Sequence, residues 1–308
     1  MTNMNVYWNE DYCGTDTQFE TFQKSRYIAR SLGIPEVGLS EWVKVKDPAS
    51  VPSALAKAQS ALIDGVDAEY LQAVMTGRPR ALAESNSFGW DSGVYHSVLN
   101  STAGILCAVD DVIAGYDHAC SLSSGLHHAR RSTGLGYCTV NSLAIGAMYA
   151  EKRLGQQIAI LDLDAHFGGG TNDYIRGTEI KQIDLSTSNF DGYESNRNSE
   201  AILCDDPDRY LLGVGDALNR LTAVGPAIVF YNAGVDVFPF IEPDVVERRE
   251  AMVAERILNL GARTVIVMAG GYGSYEDIVP LHLATITAFA APHLLRRSQA
   301  GPSVMASV

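Results

Sequence analysis

The sequence predicts a single α/β domain in which helices cover both faces of a mostly parallel central sheet, a three-layer α/β/α arrangement. Two observations predict this architecture. Short apolar runs alternate with longer helical patterns along the chain, and such alternation is typical of parallel strands joined by right-handed crossovers. The 308 residues also suffice for a large core, since a chain of this length buries about 75% of its unfolded surface.

The predicted strands are five short apolar runs. Runs of this kind are typical of strands that are buried on both faces of a parallel sheet. In such sheets, ligands bind in the loops that leave the carboxyl ends of the strands. The five runs are 118–122, 157–164, 179–186, 226–234 and 263–271.

The predicted helices lie between these runs, at about 91–114, 138–154, 244–260 and 276–294. In the third, apolar residues such as Val246, Val253 and Ile257 recur among charged ones. No repeat, low-complexity tract or long linker divides the chain, although residues 186–209 are polar and irregular. One catalytic domain over residues 1–308 is therefore the simpler interpretation.

The composition excludes several classes of protein. The chain has 36 acidic and 23 basic side chains and a formal net charge of -13, which argues against binding nucleic acid through bulk electrostatics. Five scattered cysteines form no C-x-x-C pair, so we expect a reducing compartment. No stretch has the 18 consecutive apolar residues of a membrane span, and no basic and apolar leader begins the sequence. We therefore expect a cytoplasmic protein.

The strand at 157–164 turns polar at every second position. Side chains alternate across a strand, so Asp162, Asp164 and His166 are predicted to point to one face. Carboxylates on a buried strand are costly unless they are paired, hydrogen-bonded or bound to a cation. A solvated strand end would explain a single Asp, but it explains two Asp and a His poorly.

Asp236 follows the apolar run 226–234 in an equivalent loop. Together with Asp164 and His166 it forms a set of two oxygen ligands and one nitrogen ligand, which leaves a coordination position open, as hydrolytic metal sites require. By itself, Asp236 would more often cap a turn than bind a metal. Only its combination with the other two residues favours a metal site.

Two further motifs follow predicted strands. His127 and His128 come after the run 118–122, and a tandem pair of imidazoles is suited to general acid and base catalysis. Tyr272 lies in a glycine-rich turn after the last strand, where its phenol could donate a hydrogen bond to an oxyanion. Each motif alone is weak, because surface histidine pairs and packed tyrosines are common.

Taken together, these motifs resemble the zinc-dependent histone deacetylase and acetylpolyamine amidohydrolase family, which has the arginase and deacetylase fold. The resemblance runs from about Phe19 to about His282. Within the family, the motifs look most like those of class IV-type deacetylases and their bacterial homologues. The motifs that carry it are GLHHA at 125–129, GYCTVN at 136–141, LDLDAH at 161–166, YNAGVD at 231–236 and AGGY at 269–272.

The resemblance implies a role for each matching residue. Asp164, His166 and Asp236 would bind one catalytic Zn²⁺, Tyr272 would polarise the acyl carbonyl, and the remaining matches concern the histidines and the surrounding pocket. His127 and His128 match the family's histidine pair, and Asp162 matches the carboxylate that orients the first of them. Gly136 and Tyr137 match residues of a narrow substrate channel, and Arg26 matches a basic residue of the inner cavity. A structural K⁺ site would be formed by the backbone carbonyls of Asp162, Asp164, His166 and Leu185.

One departure from the family pattern concerns the second histidine. Where the family commonly reads H-H-G-D-G or H-Q-G-N-G, this chain reads His166-Phe167-Gly168-Gly169-Gly170. Gly169 therefore replaces the polar residue that would orient His128. We expect His128 to lack its usual partner, and the loss of such an orienting group commonly has an effect of about 10- to 100-fold. The effect should fall on the catalytic rate more than on the metal site.

The sequence favours a zinc-dependent amidohydrolase that removes an acetyl or longer acyl group from an amine, such as an acyl-lysine or an acylpolyamine. The alternative is a metal-binding scaffold with the same fold and little activity. A two-metal ureohydrolase is disfavoured because further His and Asp ligands are not evident. Phe190 is either part of the channel wall or an ordinary surface aromatic. Asp91 either contacts the substrate or is an ordinary acid at the start of a helix. The choice between Zn²⁺ and Fe²⁺ and the oligomeric state stay open.

Overall fold

The central feature of the computed structural model, which describes residues 4–14, 23–124 and 126–294, is one parallel sheet. All seven pairings between neighbouring strands are parallel. The predicted α/β architecture is therefore confirmed, with a sheet that is wholly parallel. Within the described residues, the sheet has eight strands in the order β2-β1-β3-β8-β7-β4-β5-β6. The strands are β1 (Met4–Tyr7), β2 (Val43–Lys46), β3 (His118–Ser121), β4 (Ile158–Asp162), β5 (Lys181–Ser186), β6 (Ser199–Leu203), β7 (Ile228–Asn232) and β8 (Arg263–Val267).

The helices form a layer on each face of the sheet. Helices α1, α8, α9 and α10 pack into one apolar cluster, while α2, α3, α5, α6 and α7 pack into the other. Glycine in the left-handed conformation ends several of them, as is common at helix C-termini. The helices are α1 (Lys24–Leu32), α2 (Ala54–Gly65), α3 (Ala68–Thr76), α4 (Arg80–Ala83), α5 (Gly93–Ala114), α6 (Ser142–Leu154), α7 (Gly169–Ile175), α8 (Tyr210–Val224), α9 (Pro243–Leu260) and α10 (Tyr275–Ala290).

Strand β7 shows why the fold has three layers. Val229 and Tyr231 belong to the cluster under α8, α9 and α10, whereas Ile228 and Phe230 belong to the opposite cluster. Because successive side chains point to opposite faces of a strand, an apolar strand requires a helical layer on each side. Each fully buried side chain of this kind contributes about 1.5–3 kcal/mol relative to exposure.

Helix α5 is long and apolar enough to cross a membrane, with a mean hydropathy of 1.3 over its most apolar window. In this structure 67% of that window is buried. Ile105 and Val109 pack in the core between α2, α6 and the sheet. A mostly buried core helix passes the same length and composition test as a membrane span, so α5 is explained as part of the core.

The five predicted strands and the four predicted helices are all present, with ends shifted by a few residues. The patterns missed β1 and β2, and β6 lies within the stretch at 186–209 that was predicted to be irregular. They also missed α2, α3, α4, α7 and α8. Phe19, at the start of the resemblance, lies outside the described residues, and the single-domain organisation of residues 1–308 stays a prediction.

Candidate active site

The candidate site lies at the carboxyl edge of the sheet, where the loops after five adjacent strands meet. Parallel strands all end at the same edge, so residues distant in sequence converge there. The loop after β3 carries the two histidines, that after β4 carries Asp164 and His166, and that after β7 carries Asp236. The loops after β8 and β5 carry Tyr272 and Asp191. Asp191 was not among the predicted site residues.

Asp164, His166 and Asp236 form a compact ligand group. One potential ligand atom from each lies within 4.8 Å of the others. His166 Nδ1 faces both acids, at 3.3 Å from Asp164 Oδ1 and 3.1 Å from Asp236 Oδ2. The structure therefore brings together the three residues that the sequence combined into a metal site.

Backbone donors hold the two ligand carboxylates in place. The Gly270 N–H donates to Asp164 Oδ2 at 2.9 Å, and the Ala165 N–H donates to Asp236 Oδ1 at 3.0 Å. Gly270 has no space for a side chain, because a Cβ atom would overlap both carboxylates. The glycine of the AGGY turn thus allows the backbone to approach the ligand group closely.

The predicted alternation continues beyond the end of β4. Leu161, Leu163 and Ala165 all join the apolar cluster on one side of the sheet. Asp162 and Asp164 consequently point the other way and are buried at 0% and 2% exposure. The period of two in the sequence explains how buried acids reach the site at this edge.

Asp162 orients the first histidine of the pair. His127 Nδ1 donates to Asp162 Oδ2 at 3.0 Å, while Asp162 Oδ1 accepts from Asn232 Nδ2 at 2.8 Å. Burial alone would lower the pKa of His127, but the carboxylates of Asp164 and Asp162 outweigh this and raise the pKa to about 10. His127 is therefore the imidazole that carries positive charge at neutral pH.

His128 has a carboxylate partner, contrary to the expectation from Gly169. Its Nδ1 donates to Asp191 Oδ2 at 3.0 Å, and Asp191 belongs to the loop between β5 and β6. The prediction that His128 lacks a partner was wrong, because an acid from elsewhere in the chain occupies the place. Burial and the neighbouring charge of His127 lower the pKa of His128 to about 4 even so, which leaves His128 neutral at pH 7.

The two acids of this ligand group, Asp164 and Asp236, are too close for both to be charged without compensation. Burial raises the pKa of Asp164, but His127 and His166 outweigh this effect and bring the pKa below its ordinary value. Burial and the charge of Asp164 raise the pKa of Asp236. A bound divalent cation would compensate both charges, so the donor set and its electrostatics fit a metal ion.

A second group of potential ligands contains His127, His128 and Cys138, all buried. It fits a metal less well. Burial raises the pKa of the Cys138 thiol, so the sulfur stays protonated, whereas metals bind the thiolate. Each histidine also commits its Nδ1 atom to an aspartate. The first group is therefore the better candidate for a metal.

Comparison with known proteins identifies the family. The histone deacetylase domain pattern matches residues 43–190. Over 213 residues the chain is 31% identical to an uncharacterized protein of Picosynechococcus sp. (strain ATCC 27264 / PCC 7002 / PR-6), covering 63% of this chain and 69% of that protein. It is 28% identical over 222 residues to the acetylpolyamine amidohydrolase of Mycoplana ramosa, covering 63% of this chain and 62% of that protein. The chain belongs to the histone deacetylase and acetylpolyamine amidohydrolase family.

A solved structure of this family supports the fold over nearly the whole chain. The acetylpolyamine aminohydrolase from Burkholderia pseudomallei superposes with a TM-score of 0.75, covering 94% of this chain and 99% of that chain. The sequences share 18% identity, so this likeness concerns the fold. It confirms the predicted arginase and deacetylase architecture.

Tyr272, which matches the family's tyrosine, lies at the rim of the ligand group with 37% exposure. Burial of its hydroxyl end, and then the charges of Asp236 and Asp164, raise its pKa far above the ordinary value. The phenol therefore keeps its proton at all physiological pH values. It can act as a hydrogen-bond donor, as an oxyanion contact requires.

Gly136 and Phe190 lie beside His128, and Tyr137 follows Gly136 in the chain. A Cβ atom on Gly136 would approach His128 Cδ2 to 2.7 Å and Phe190 Cε1 to 3.0 Å, so only glycine fits between them. The Phe190 ring meets the rings of His128 and His166 edge-on, at 5.0 and 5.7 Å between centroids. Tyr137 and Phe190 are partly exposed, which is consistent with walls of an approach to the site.

The basic residue behind the site is Lys24, and the prediction of Arg26 for the inner cavity was wrong. Arg26 points outward and donates to Glu10 at 2.7 Å, whereas Lys24 is 1% exposed and donates to the carbonyl of Ala269. Burial lowers the pKa of Lys24 to about 8 against the opposing charges of Asp236 and Asp164. A cavity of about 40 Å³ adjoins its side chain.

Asp91 lies at the beginning of α5, where its Oδ1 accepts from the Gly93 N–H at 2.6 Å. This contact agrees with a helix-start acid, the other role predicted for Asp91. A substrate role for Asp91 stays a prediction.

Proposed function

We propose that this protein hydrolyses the amide bond between an acyl group and an amine, with a single divalent cation held by Asp164, His166 and Asp236. The family acts on acylated amines in general. The observation that carries the proposal for this chain is the buried His128, whose Nδ1 atom is bound to Asp191 and whose ring centroid lies 6.0 Å from that of His166 in the ligand group. A neutral imidazole at this position is able to accept a proton.

Zinc is the cation that fits the ligand group best. Two carboxylate oxygens and one imidazole nitrogen match the donors of catalytic zinc sites, which keep one position open. When bound, the ion supplies Lewis acidity, which polarises the scissile carbonyl and makes water more acidic. Because Fe²⁺ accepts similar ligands, metal analysis of the purified protein has to distinguish the two.

The protein's own groups handle the proton and the carbonyl oxygen. The Nδ1 atom of His128 is engaged with Asp191, so its Nε2 is the atom that takes a proton from the attacking water and later returns it to the leaving amine. Tyr272 donates to the carbonyl oxygen as negative charge develops there. His127, held by Asp162, contributes positive charge beside the same oxygen.

The substrate class follows from the walls of the approach. The exposed rings of Tyr137 and Phe190, with Gly136 between Phe190 and His128, would line a narrow passage, which suits an aliphatic stem that ends in an acyl amide. A lysine side chain and a polyamine both have such a stem. The formal net charge of -13 favours a cationic carrier and disfavours nucleic acid, and a cytoplasmic location is part of the same proposal.

A structural K⁺ ion beside β4 and β5 is a further part of this proposal. Asp162 and Asp184 are paired in register and both fully buried. Among the described residues, Asp184 Oδ1 has no hydrogen-bond partner, and burial and the charge of Asp162 raise the pKa of Asp184 well above its ordinary value. A monovalent cation held by nearby carbonyls, including that of Leu185, would compensate this pair.

The test is a substrate series on the purified protein with its zinc content controlled. Acetyl through long fatty acyl groups are presented on lysine peptides and on polyamines, and amine release is followed by mass spectrometry. We expect turnover of at least one carrier, lost in His128→Gln although zinc stays bound. Bound zinc without turnover of any member would overturn the proposal and favour the scaffold alternative instead.

A further inference from the structure

We infer that Asp191 is the positioning residue for His128, and that Gly169 lacks a side chain because Asp191 occupies that space. The inference rests on the proposed function, in which His128 moves the proton. It assigns a role to the loop at 187–198, between β5 and β6. That loop thus contributes to the site from outside the motifs of the resemblance.

The contacts of Asp191 are those of an orienting group. The Asp191 side chain is 4% exposed, and its Oδ2 accepts from His128 Nδ1 at 3.0 Å. Its Oδ1 accepts from Arg130 Nη2 at 2.5 Å, while Arg130 Nη1 donates to the backbone carbonyl of His128 at 3.0 Å. The guanidinium therefore fixes the carboxylate and the backbone of His128 at once.

The backbone at Asp191 is adapted to this contact. Its φ of 55° lies in the left-handed region, which non-glycine residues adopt at a cost of about 1–2 kcal/mol, with aspartate among the more tolerant types. The loop is fixed on the preceding side, where Phe167 N–H donates to the Phe190 carbonyl at 3.2 Å. A buried, charged side chain on a strained backbone is expected where the side chain has a function.

Gly169 begins α7 on the opposite side of Asp191. A Cβ atom at position 169 would lie 2.5 Å from the Asp191 carbonyl oxygen and 2.6 Å from Asp191 Oδ1. Since one of these atoms belongs to the backbone, rotation of the side chain could not relieve the overlap. A side chain at 169 and the observed position of Asp191 therefore exclude each other.

An ion pair with Arg130 alone does not explain this arrangement. The Arg130 side chain is 32% exposed and could meet an acid in solvent, where such a pair contributes little. Burial of the Asp191 carboxylate against the His128 ring costs free energy unless the ring donates a hydrogen bond to it. An Nδ1–H bound to a carboxylate fixes the tautomer and leaves Nε2 free to accept a proton.

The experiment uses four variants of the zinc-loaded protein. Asp191→Gly removes the carboxylate and relieves the left-handed backbone, and Asp191→Asn keeps an acceptor oxygen without the charge. Gly169→Ala adds a Cβ atom that would overlap the backbone carbonyl oxygen and the carboxylate of Asp191. Glu194→Gln, at an exposed acid of the same loop, is the matched control for loss of charge.

We expect kcat to fall about 10- to 100-fold in D191G, with KM and zinc content within about twofold of wild type. D191N should fall between D191G and wild type, and E194Q should equal wild type. Gly169→Ala should displace Asp191 and lower kcat toward that of D191G. A folded Gly169→Ala with the kcat of wild type would overturn the assignment of Gly169.

The tautomer of His128, read from ¹⁵N NMR of histidine-labelled protein, gives a second readout that requires no substrate. We expect the Nδ1–H form in wild type and a mixture of tautomers in D191G. An unchanged tautomer in D191G, or an unchanged kcat, would overturn the inference. If wild type turns over no acyl amine although the tautomer changes in D191G, the proposed function fails and the positioning role stands.

Discussion

His127 and His128 are neighbours in the chain, with ring centroids 4.0 Å apart, yet their environments differ. His127 is held by an acid from the central strand β4, and its pKa is raised to about 10. His128 is held by an acid from a loop, and its pKa is lowered to about 4. The surroundings divide one residue type into a charged group and a neutral group, as acid and base roles require.

The difference between the two histidines has an identifiable source. His127 faces three acids, including Asp164 and Asp162. His128 faces Asp191 and Asp164, and the positive charge of His127 opposes their effect on its pKa. Burial lowers the pKa of both rings, so the carboxylates prevail at His127, whereas burial and the charge of His127 prevail at His128.

The largest predicted effect comes from Asp164→Asn, which changes the surroundings of His127. It removes one of the three proposed metal ligands, which is also one of the carboxylates that face His127. We expect loss of zinc and a decrease in turnover of at least about a thousandfold, since a metal contributes several kcal/mol to charge stabilisation. Metal analysis and kinetics measure both, with Asp173→Asn on the exposed side of α7 as control. Wild-type zinc content and turnover in D164N would contradict the assignment.

The second effect concerns Tyr272, the proposed oxyanion donor, rather than the partner acid of either histidine. Tyr272→Phe removes a phenol whose raised pKa keeps it protonated. We expect kcat to fall about 10²- to 10³-fold, with zinc retained and the tautomers of both histidines unchanged. Stopped assays at saturating substrate measure kcat. Turnover equal to wild type would show that Tyr272 has no part in the reaction.

A smaller effect is predicted for Asp162→Asn, which removes charge from the partner of His127 and leaves the His128–Asp191 contact in place. The pKa of His127 should fall because a negative neighbour is lost. We expect kcat to decrease about 10- to 100-fold, and an NMR titration of His127 checks the direction of the pKa change. A rise in the pKa of His127 would contradict the electrostatic explanation.

The smallest effect is predicted for Phe190→Ala, on the His128 side. The ring packs edge-on against His128 and His166, and its loss removes about 1 kcal/mol of apolar contact with a substrate stem. We expect KM to rise about fivefold with kcat changed less. Leu212→Ala, at an exposed leucine of α8, is the control. A change confined to kcat would mean that Phe190 acts only through the histidines.

The polar residues at the end of β4 were predictable because their signal is local. Asp162, Asp164 and His166 follow a period of two in the sequence. The intervening Leu161, Leu163 and Ala165 pack into the apolar cluster on one side of the sheet, as that period requires. The outer strands were harder to recognise. Strand β2 alternates Val with Lys, and β6 lies in a polar stretch, so neither has the apolar run of a central strand.

Asp191 and Lys24 could not be recognised from spacing alone. Asp191 meets His128 across 63 residues, and the only signal was the missing side chain at Gly169. Lys24 and Arg26 lie two positions apart on α1 and hence about 200° apart around the helix. A lysine is normally exposed, so no pattern indicated that Lys24 is the residue that faces inward.

The central claim is that neutral His128, beside the metal-ligand group, moves the proton in acyl amide hydrolysis. The most direct measurement compares kcat of His128→Gln and His127→Gln at equal zinc content on the best acyl amine substrate. We expect His128→Gln to lose about 10²- to 10⁴-fold, and His127→Gln to lose at least about tenfold less. Equal losses, or a larger loss in His127→Gln, would contradict the account.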